Sequence, residues 1–288
     1  MIQNKSLSIL EVINKSSHFL EKKGVENHKT DAEWLIAHTL GCQRMDLYLR
    51  FGEILSDSIL EKIRTFVIKR GERIPLQHIL GSVPFAGLQL KCDNRALVPR
   101  HETEYLVDFV TQRLTTNFSG KIADLGCGSG AIILALCNQL PRATGVGYDK
   151  SNCALDLAEE NCHSSGLSSR VSLQNFNWLE NEFLPDTFDL IISNPPYLSK
   201  KEWLTTEPEV QSHDPITALV ASQNGFSDIK KIVSIAQKSL CEGGYLALEF
   251  GHKQAVLLEE LLKEKFDFEI IRDQFLVRRF VFATKIYC

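Results

Sequence analysis

KIADLGCGSGAIILALCNQLPRATGVGYD, residues 121–149, decides the fold. The run at 121–124 (KIAD) reads as a strand, Ala131–Gln139 as a helix and TGVGY at 144–148 as a second strand. Working outward, a helix over Cys153–Ser164 leads to strands at Val171–Gln174 and Phe188–Ser193 (FDLIIS). A helix at Asp228–Ser239, a strand at Gly244–Glu249 and a helix at Gln254–Glu264 follow. Phe268–Ile271 and Phe280–Thr284 read as a terminal antiparallel pair, and Tyr105–Leu114 as a leading helix. Strands alternating with helices predict an α/β fold: a mostly parallel sheet of seven strands, covered by helices on both faces.

Upstream the pattern changes. Residues 1–72 read as helices only, a small separate bundle. Leu10, Ile13, Ser17 and Leu20 share one face, with Gly24 as a stop. Thr30 and Glu33 form a capping-box pattern before Trp34, Leu35 and Ala37, and Gly41 ends that helix. Ser56 caps a third helix carrying Ile59, Ile63, Phe66 and Val67, closed by Gly71. Residues 73–100 read as a linker with a β-hairpin at Val83–Phe85 and Leu88–Lys91, and residues 101–288 as the α/β domain.

The 288 residues are 44% hydrophobic and 24% charged with net charge −4, an ordinary globular composition. This argues against a general electrostatic grip on nucleic acid or anionic membrane. No apolar run suits a membrane span, and the charged first 30 residues lack a signal-peptide core, so the expected compartment is the cytosol. Cys42, Cys92, Cys127, Cys137, Cys153, Cys162, Cys241 and Cys288 form no C-x-x-C pair and no zinc spacing. They are expected to be small buried or half-buried thiols, and no metal site is expected.

Chemistry concentrates at two places. In Asp124-Leu125-Gly126-Cys127-Gly128-Ser129-Gly130 the glycines let the backbone turn tightly between strand and helix and approach a ligand. Asp149, ending the second strand, can accept bonds from both hydroxyls of a ribose. Together they argue for an adenosine-type cofactor. Gly126, Gly128 and Ala131 also satisfy the relaxed dinucleotide pattern. Asp124, just ahead of the loop, suits an ammonium group or ordered loop amides better than a pyrophosphate, which favours S-adenosylmethionine over NAD.

The second place is Asn194-Pro195-Pro196-Tyr197, directly after FDLIIS, where ligands of open α/β sheets bind. Two prolines remove two N–H donors and leave carbonyl acceptors. A substrate nitrogen with two hydrogens fits: Asn194 Oδ1 accepts one and the Pro195 carbonyl the other, with the nitrogen lone pair facing a sulfonium methyl. Pro196 stiffens the loop and Tyr197 packs on the flat amide. Two acceptors stabilise the positive charge that develops during methyl transfer.

These residues are similar to those of class I methyltransferases that modify planar sp2 nitrogens. PLQHILG at 75–81, LVPRHETE at 97–104, HDPITALVA at 213–221 and GGYLALEFGHKQ at 243–254 resemble the release-factor glutamine methyltransferases, the PrmC/HemK family. The resemblance covers about residues 73–254. It implies a Rossmann-like class I methyltransferase fold with the small N-terminal helical bundle as substrate-recognition domain. It also implies methyl transfer from S-adenosylmethionine, leaving S-adenosylhomocysteine, to the glutamine amide in the GGQ motif of class I peptide release factors. Carried over, Gly126, Cys127, Gly128, Ser129 and Gly130, with Asp124, line the methionine end of the cofactor. Asp149 binds its ribose, Trp178 packs near the adenine, Asn194 borders both ligands, and Asn194 to Tyr197 hold the glutamine. Arg100 and Glu102 are expected to form a structural ion pair or a rim of the substrate site, the structural role being favoured. Three places depart from the family: His101 stands where proline is usual, and Asn177 where an acid precedes the adenine-site Trp178. The tail RDQFLVRRF at 272–280 lacks the glycine and acid that usually precede the last arginine.

Other readings stay open at this point. A ribosomal-protein glutamine methyltransferase shares the NPPY site. A nucleic-acid base methyltransferase needs a basic track, and the first 80 residues carry 12 Lys/Arg against 10 Asp/Glu. Their cluster Lys62, Arg64, Lys69, Arg70 and Arg73 reads most simply as a solvated helix face. An NAD oxidoreductase lacks a hydride-transfer motif, and a non-catalytic adaptor would not need the intact loop, Asp149 and NPPY together. The expected partners are release factors, with no membrane, no stable nucleic-acid complex and a monomeric enzyme.

Overall fold

A computed structural model describes residues 7–286, and the chain divides into two compact units, 1–81 and 82–288. The first is helical. A two-residue strand β1 (Leu7–Ser8) pairs antiparallel with β2 (Ile54–Leu55). Helices α1 (Ile9–Lys22), α2 (His28–Leu40), α3 (Asp57–Gly71) and α4 (Leu76–Leu80) pack around Ile9, Leu20, Leu35, Ile36, Leu47 and Ile63.

The sequence misleads at three points in this unit. α1 buries Ile9, Val12, Ile13, Ser16 and Leu20, so its stripe is turned and Leu10 is exposed. The capping box belongs to α1, where the Ser8 hydroxyl and Glu11 carboxylate satisfy each other's backbone amides. Thr30 and Glu33 lie inside α2, which starts one turn earlier because nothing between Asn27 and Thr30 breaks a helix. Glu33 is instead buried and accepts from Arg44 Nη1 at 2.6 Å and the Tyr48 hydroxyl at 3.0 Å. Of the basic cluster, Arg70 is buried and donates to Asp31 at 2.7 Å, while Arg73 donates to the Gly24 carbonyl. Part of that charge therefore holds the bundle together.

The second unit opens with the hairpin β3 (Ser82–Phe85) and β4 (Leu88–Lys91). The stretch 73–100 is thus shared: α4 belongs to the helical unit and the hairpin to this one. After α5 (His101–Leu114) come β5 (Lys121–Leu125), α6 (Ala131–Gln139), β6 (Thr144–Asp149), α7 (Asn152–Ser164), β7 (Val171–Asn175) and β8 (Phe188–Ser193). Short helices α8 (Lys200–Trp203) and α9 (Pro208–His213) precede α10 (Ser227–Ser239), β9 (Leu240–Glu249), α11 (Ala255–Leu262), β10 (Phe266–Arg272) and β11 (Arg278–Lys285). The seven-stranded sheet runs β10-β11-β9-β8-β5-β6-β7, parallel except for β11.

The inner strands β5, β6, β8, β9 and β11 bury both faces, as a helix-covered parallel sheet requires, while the edge strands β7 and β10 stay partly exposed. Ile122, Leu190, Ile192 and Ala247 face the layer of α5 and α6, while Ala123, Ile191, Leu246 and Leu248 face α10 and α11. Cys92, Cys127, Cys137 and Cys162 are buried free thiols and Cys42 and Cys241 half-buried, but Cys153 is exposed on α7. Cys288 lies outside the described residues. Among the described residues no helix is long and apolar enough to cross a membrane.

The β10–β11 turn is built on Asp273, whose Oδ1 accepts from the Phe275 and Val277 amides and whose Oδ2 accepts from Arg279 Nε at 2.8 Å. Leu276 in that turn is left-handed (φ 62°) and 73% exposed. A left-handed non-glycine residue costs about 1–2 kcal/mol, against about 0.5–1 kcal/mol of glycine entropy. We expect Leu276→Gly to stabilise the protein by up to about 1 kcal/mol, read by denaturant titration. A lower midpoint than wild type would contradict this account of the turn.

Candidate active site

Strand order reverses beside β5: β6 and β7 continue to one side, β8 and β9 to the other. The loops leaving β5 and β8 diverge there, which opens a crevice at the carboxyl edge of the sheet. Two adjoining clefts occupy it. Gly126, Gly128, Asp149, Trp178, Asn194 and Pro196 line the first. Leu97, Arg100, Asn194, Pro195, Tyr197 and Glu249 line the second. Asn194 belongs to both.

The first cleft fits an adenosyl group. The Asp149 carboxylate is pinned by two amides, Gly128 N–H to Oδ2 at 3.0 Å and Ser151 N–H to Oδ1 at 2.9 Å. Each oxygen keeps a lone pair for a diol. Gly126 is left-handed (φ 84°), and a Cβ there would stand 3.2 Å from the Trp178 ring. Close approach of loop and indole therefore requires the glycine, and it makes an aromatic wall beside the loop. Asn177 Oδ1 accepts from the Leu179 amide at 3.1 Å and keeps one lone pair.

Asp124, Cys127, Ser129 and Gly130 lie behind this cleft as the buried or half-closed body of the loop. The Ser129 carbonyl accepts from Asn161 Nδ2 at 3.0 Å, and Gly130 N–H closes a turn on the Cys127 carbonyl. Burial pushes the Cys127 thiol up, so it stays protonated and unreactive. Asp124 is fully buried: Oδ2 accepts from the Ile133 amide at 3.3 Å and Oδ1 has no partner. Desolvation pushes its carboxyl up to about 8.

The second cleft has a buried polar floor. Asn194 Nδ2 donates to Thr103 Oγ1 at 3.1 Å, and Thr103 Oγ1 donates to Glu249 Oε2 at 2.8 Å. The Tyr197 hydroxyl donates to Glu249 Oε1 at 3.1 Å. The donor end of the Asn194 amide is thereby used, and among the described residues Oδ1 accepts nothing. Burial, reinforced by Glu249, raises the Tyr197 phenol, which remains neutral. The Tyr197 carbonyl is tied to Gln254 Nε2 at 2.9 Å, and a Cβ on Gly225 (φ 84°) would fall 2.0 Å from that carbonyl oxygen. Only glycine lets the turn at 222–225 press against the NPPY loop.

Arg100 does not pair with Glu102. It donates to the buried Asp214 at 2.6 Å, which joins the 97–104 stretch to the HDP segment at 213–215. Thr103, Glu249, Gln254 and Asp214 escaped the sequence reading, although all lie inside motifs it quotes. The available signal was Glu249: an acid ending an apolar run that must be buried needs partners.

Known proteins are similar to both units of the chain. The PrmC N-terminal domain family matches residues 11–81 and the methyltransferase small domain family residues 102–210. A release factor glutamine methyltransferase of Geobacter sulfurreducens is 38% identical over 86% of this chain and 86% of its own. One of Deinococcus radiodurans is 35% identical over 97% and 99%. One of Chlorobaculum tepidum is 34% identical over 95% and 96%. Among solved structures, a methyltransferase from Pyrococcus furiosus aligns with TM-score 0.51 and 17% identity over 70% of this chain and 90% of its own. The human Mettl16 catalytic domain aligns with TM-score 0.56 and 16% identity over 82% and 86%. Both share the fold.

Asp124 sets a pH dependence. Its folded value, about 8, lies above the ordinary 3.8, so the native state holds a proton the unfolded chain has already released. The favourable contribution is complete below the ordinary value and is lost as pH rises through about 8. Relative to Asp124→Asn, wild type should lose stability steadily between those limits and then level off. Parallel stability–pH curves for the two proteins would contradict the assignment.

Proposed function

The chain belongs to the release factor glutamine methyltransferase family, and from that premise we propose that it methylates the side-chain amide of the GGQ glutamine in class I peptide release factors. It does so as a monomeric cytosolic enzyme with S-adenosylmethionine as methyl donor. The single observation that carries this reading is the Asn194 amide, tied by its donor end to Thr103 and free at its acceptor end between the two clefts.

S-adenosylmethionine, when bound, supplies an electrophilic methyl group on a sulfonium. Asp149 holds the ribose, Trp178 flanks the adenine and Gly126 to Gly130, over Asp124, follow the methionine end. In the neighbouring cleft Asn194 Oδ1 and the Pro195 carbonyl each accept one N–H of the glutamine amide. Tyr197 and Pro196 bound the flat group. An amide nitrogen is a poor nucleophile because its lone pair is delocalised. Two fixed acceptors stabilise the charge that grows on its N–H groups as the methyl arrives. Alignment removes much of the entropic barrier. No nucleophilic side chain takes part.

A glutamine amide alone offers little surface, so selectivity has to come from contacts away from the reacting atom. The helical unit is the proposed source. Without residues 1–81, activity on intact release factor should fall while the weak activity on a short GGQ peptide changes little. An equal fall on both substrates would assign recognition to the loops around Tyr197.

The direct test uses methyl-labelled S-adenosylmethionine with purified release factors, ribosomal proteins and nucleic acids, the label being located by mass spectrometry. We expect it on the release factor glutamine; label on a ribosomal protein or a base instead would overturn the reading. Asn194→Ala should lower turnover on the order of a hundredfold with cofactor affinity little changed. Asp149→Ala should weaken cofactor binding about ten- to a hundredfold by calorimetry.

A further inference from the structure

We propose that Glu249, acting through Thr103, is a positioning residue that decides which end of the Asn194 amide faces the substrate. The proposal rests on the reading of Asn194 as the acceptor for a substrate N–H.

The two ends of an asparagine amide have nearly the same shape, so packing alone does not choose between them. Only the hydrogen-bond partner does. Asn194 has one such partner among the described residues, Thr103 Oγ1. A threonine hydroxyl carries a single hydrogen and can give it in one direction only. Glu249 Oε2, at 2.8 Å, takes it. The hydroxyl then shows Asn194 nothing but lone pairs, the amide must present its NH2, and Oδ1 is left for the cleft.

The second carboxylate oxygen is engaged in the same sense by the Tyr197 hydroxyl at 3.1 Å. An ionised carboxylate is acceptor-only, so both hydroxyl hydrogens converge on it. It thus orients two substrate-facing residues of the NPPY loop at once. Thr103 and Glu249 are 4% and 2% exposed, so water does not compete for these bonds.

A neutral group at position 249 removes the rule. A carboxylic acid or a carboxamide can donate to Thr103, whose own hydrogen then turns to Asn194. The Asn194 amide flips, its NH2 faces the cleft, and a donor meets a donor.

Charged groups on two packed elements act on Glu249. Arg279 on β11, itself bound to Asp273, favours the ionised form, while Glu102 on α5 disfavours it. Arg100 faces Tyr197. Desolvation is the largest influence and raises the Glu249 carboxyl above the usual carboxylate range. Proton uptake on acidification therefore starts early, and turnover should carry an acid limb above the ordinary glutamate range.

Three variants and one structure test this. Glu249→Gln and Thr103→Val should lower turnover on the order of a hundredfold with the KM for S-adenosylmethionine unchanged. Thr103→Ser should retain most of it, and the acid limb should vanish in Glu249→Gln. Wild-type turnover in folded Thr103→Val, or an unaltered acid limb in Glu249→Gln, overturns the proposal. Neutron diffraction on the wild-type protein reads the direction without any methyl acceptor. Deuterons on Asn194 Nδ2 aimed at Thr103, and the Thr103 deuteron aimed at Glu249, are expected; the reverse direction overturns the proposal even if every variant misfolds. A wild-type enzyme that leaves release factors unlabelled overturns the substrate reading, and the deuteron directions still decide the role of Glu249.

Discussion

The reversal of strand order at β5 is the constraint on which the site depends. β5 pairs in parallel with β6 on one side and with β8 on the other. Chain leaving β5 and chain leaving β8 must therefore part, and the crevice between them cannot be filled by either connection. The glycine loop and the NPPY loop are the two walls of that crevice. Because β5 and β8 are adjacent strands, the walls stand close enough for Asn194 to line both clefts. Topology brings two clefts to one residue before any particular contact is considered, and the proposed reading places the cofactor in one and the substrate amide in the other.

That geometry puts polar groups where water is scarce, and the structure answers each of them locally. Glu249, the last residue of β9, is met by Thr103 from α5 and by Tyr197 from the loop after β8. The loop itself contributes few donors, since Pro195 and Pro196 have no N–H. Its Tyr197 carbonyl is silenced by Gln254 and by the close packing of Gly225. Asn194 Oδ1 and the proline carbonyls of the loop accept nothing among the described residues, and acceptors are what a primary amide needs. On the proposed reading, selectivity for an N–H donor comes from this loop's shortage of free donors, with the buried carboxylate setting the direction of the Asn194 amide.

Much of this was legible in the sequence, and the boundary of legibility is physical. Buried parallel strands are apolar runs, and helices between them keep their period, so FDLIIS and AIILALCNQ could be read directly. Asp149, Gly126 and NPPY could be placed because they sit at strand ends, where position follows from the strand itself. Partners distant in sequence could not: Arg100 meets Asp214 and Thr103 meets Glu249 only through the folded sheet. Local rules failed where two satisfied the same pattern. Thr30 and Glu33 have capping-box spacing, yet Glu33 is committed to Arg44 and Tyr48, and the box that forms is Ser8 with Glu11. The missing glycine of the tail was visible, but that Leu276 would accept the left-handed conformation in its place was not.

The stretch before α5 shows why a loop lacking regular structure can still be part of the chemistry. Leu97 and Arg100 line the second cleft, and Thr103, in the first turn of α5, accepts from the Asn194 amide. A flexible connection could not do this, because a hydroxyl that wanders by an ångström no longer selects an amide end. Arg100 supplies the anchor: its bond to Asp214, buried on the segment that follows α9, fixes the backbone just ahead of α5. The hairpin β3–β4 supplies another, since the Glu104 carboxylate, one residue beyond Thr103, accepts from the Ala86 amide at 3.0 Å. Thr103 is therefore clamped from both sides along the chain. LVPRHETE is best understood as a wall of the proposed active site, its own conformation held by Asp214 and the Ala86 amide, neither of which lines the NPPY cleft.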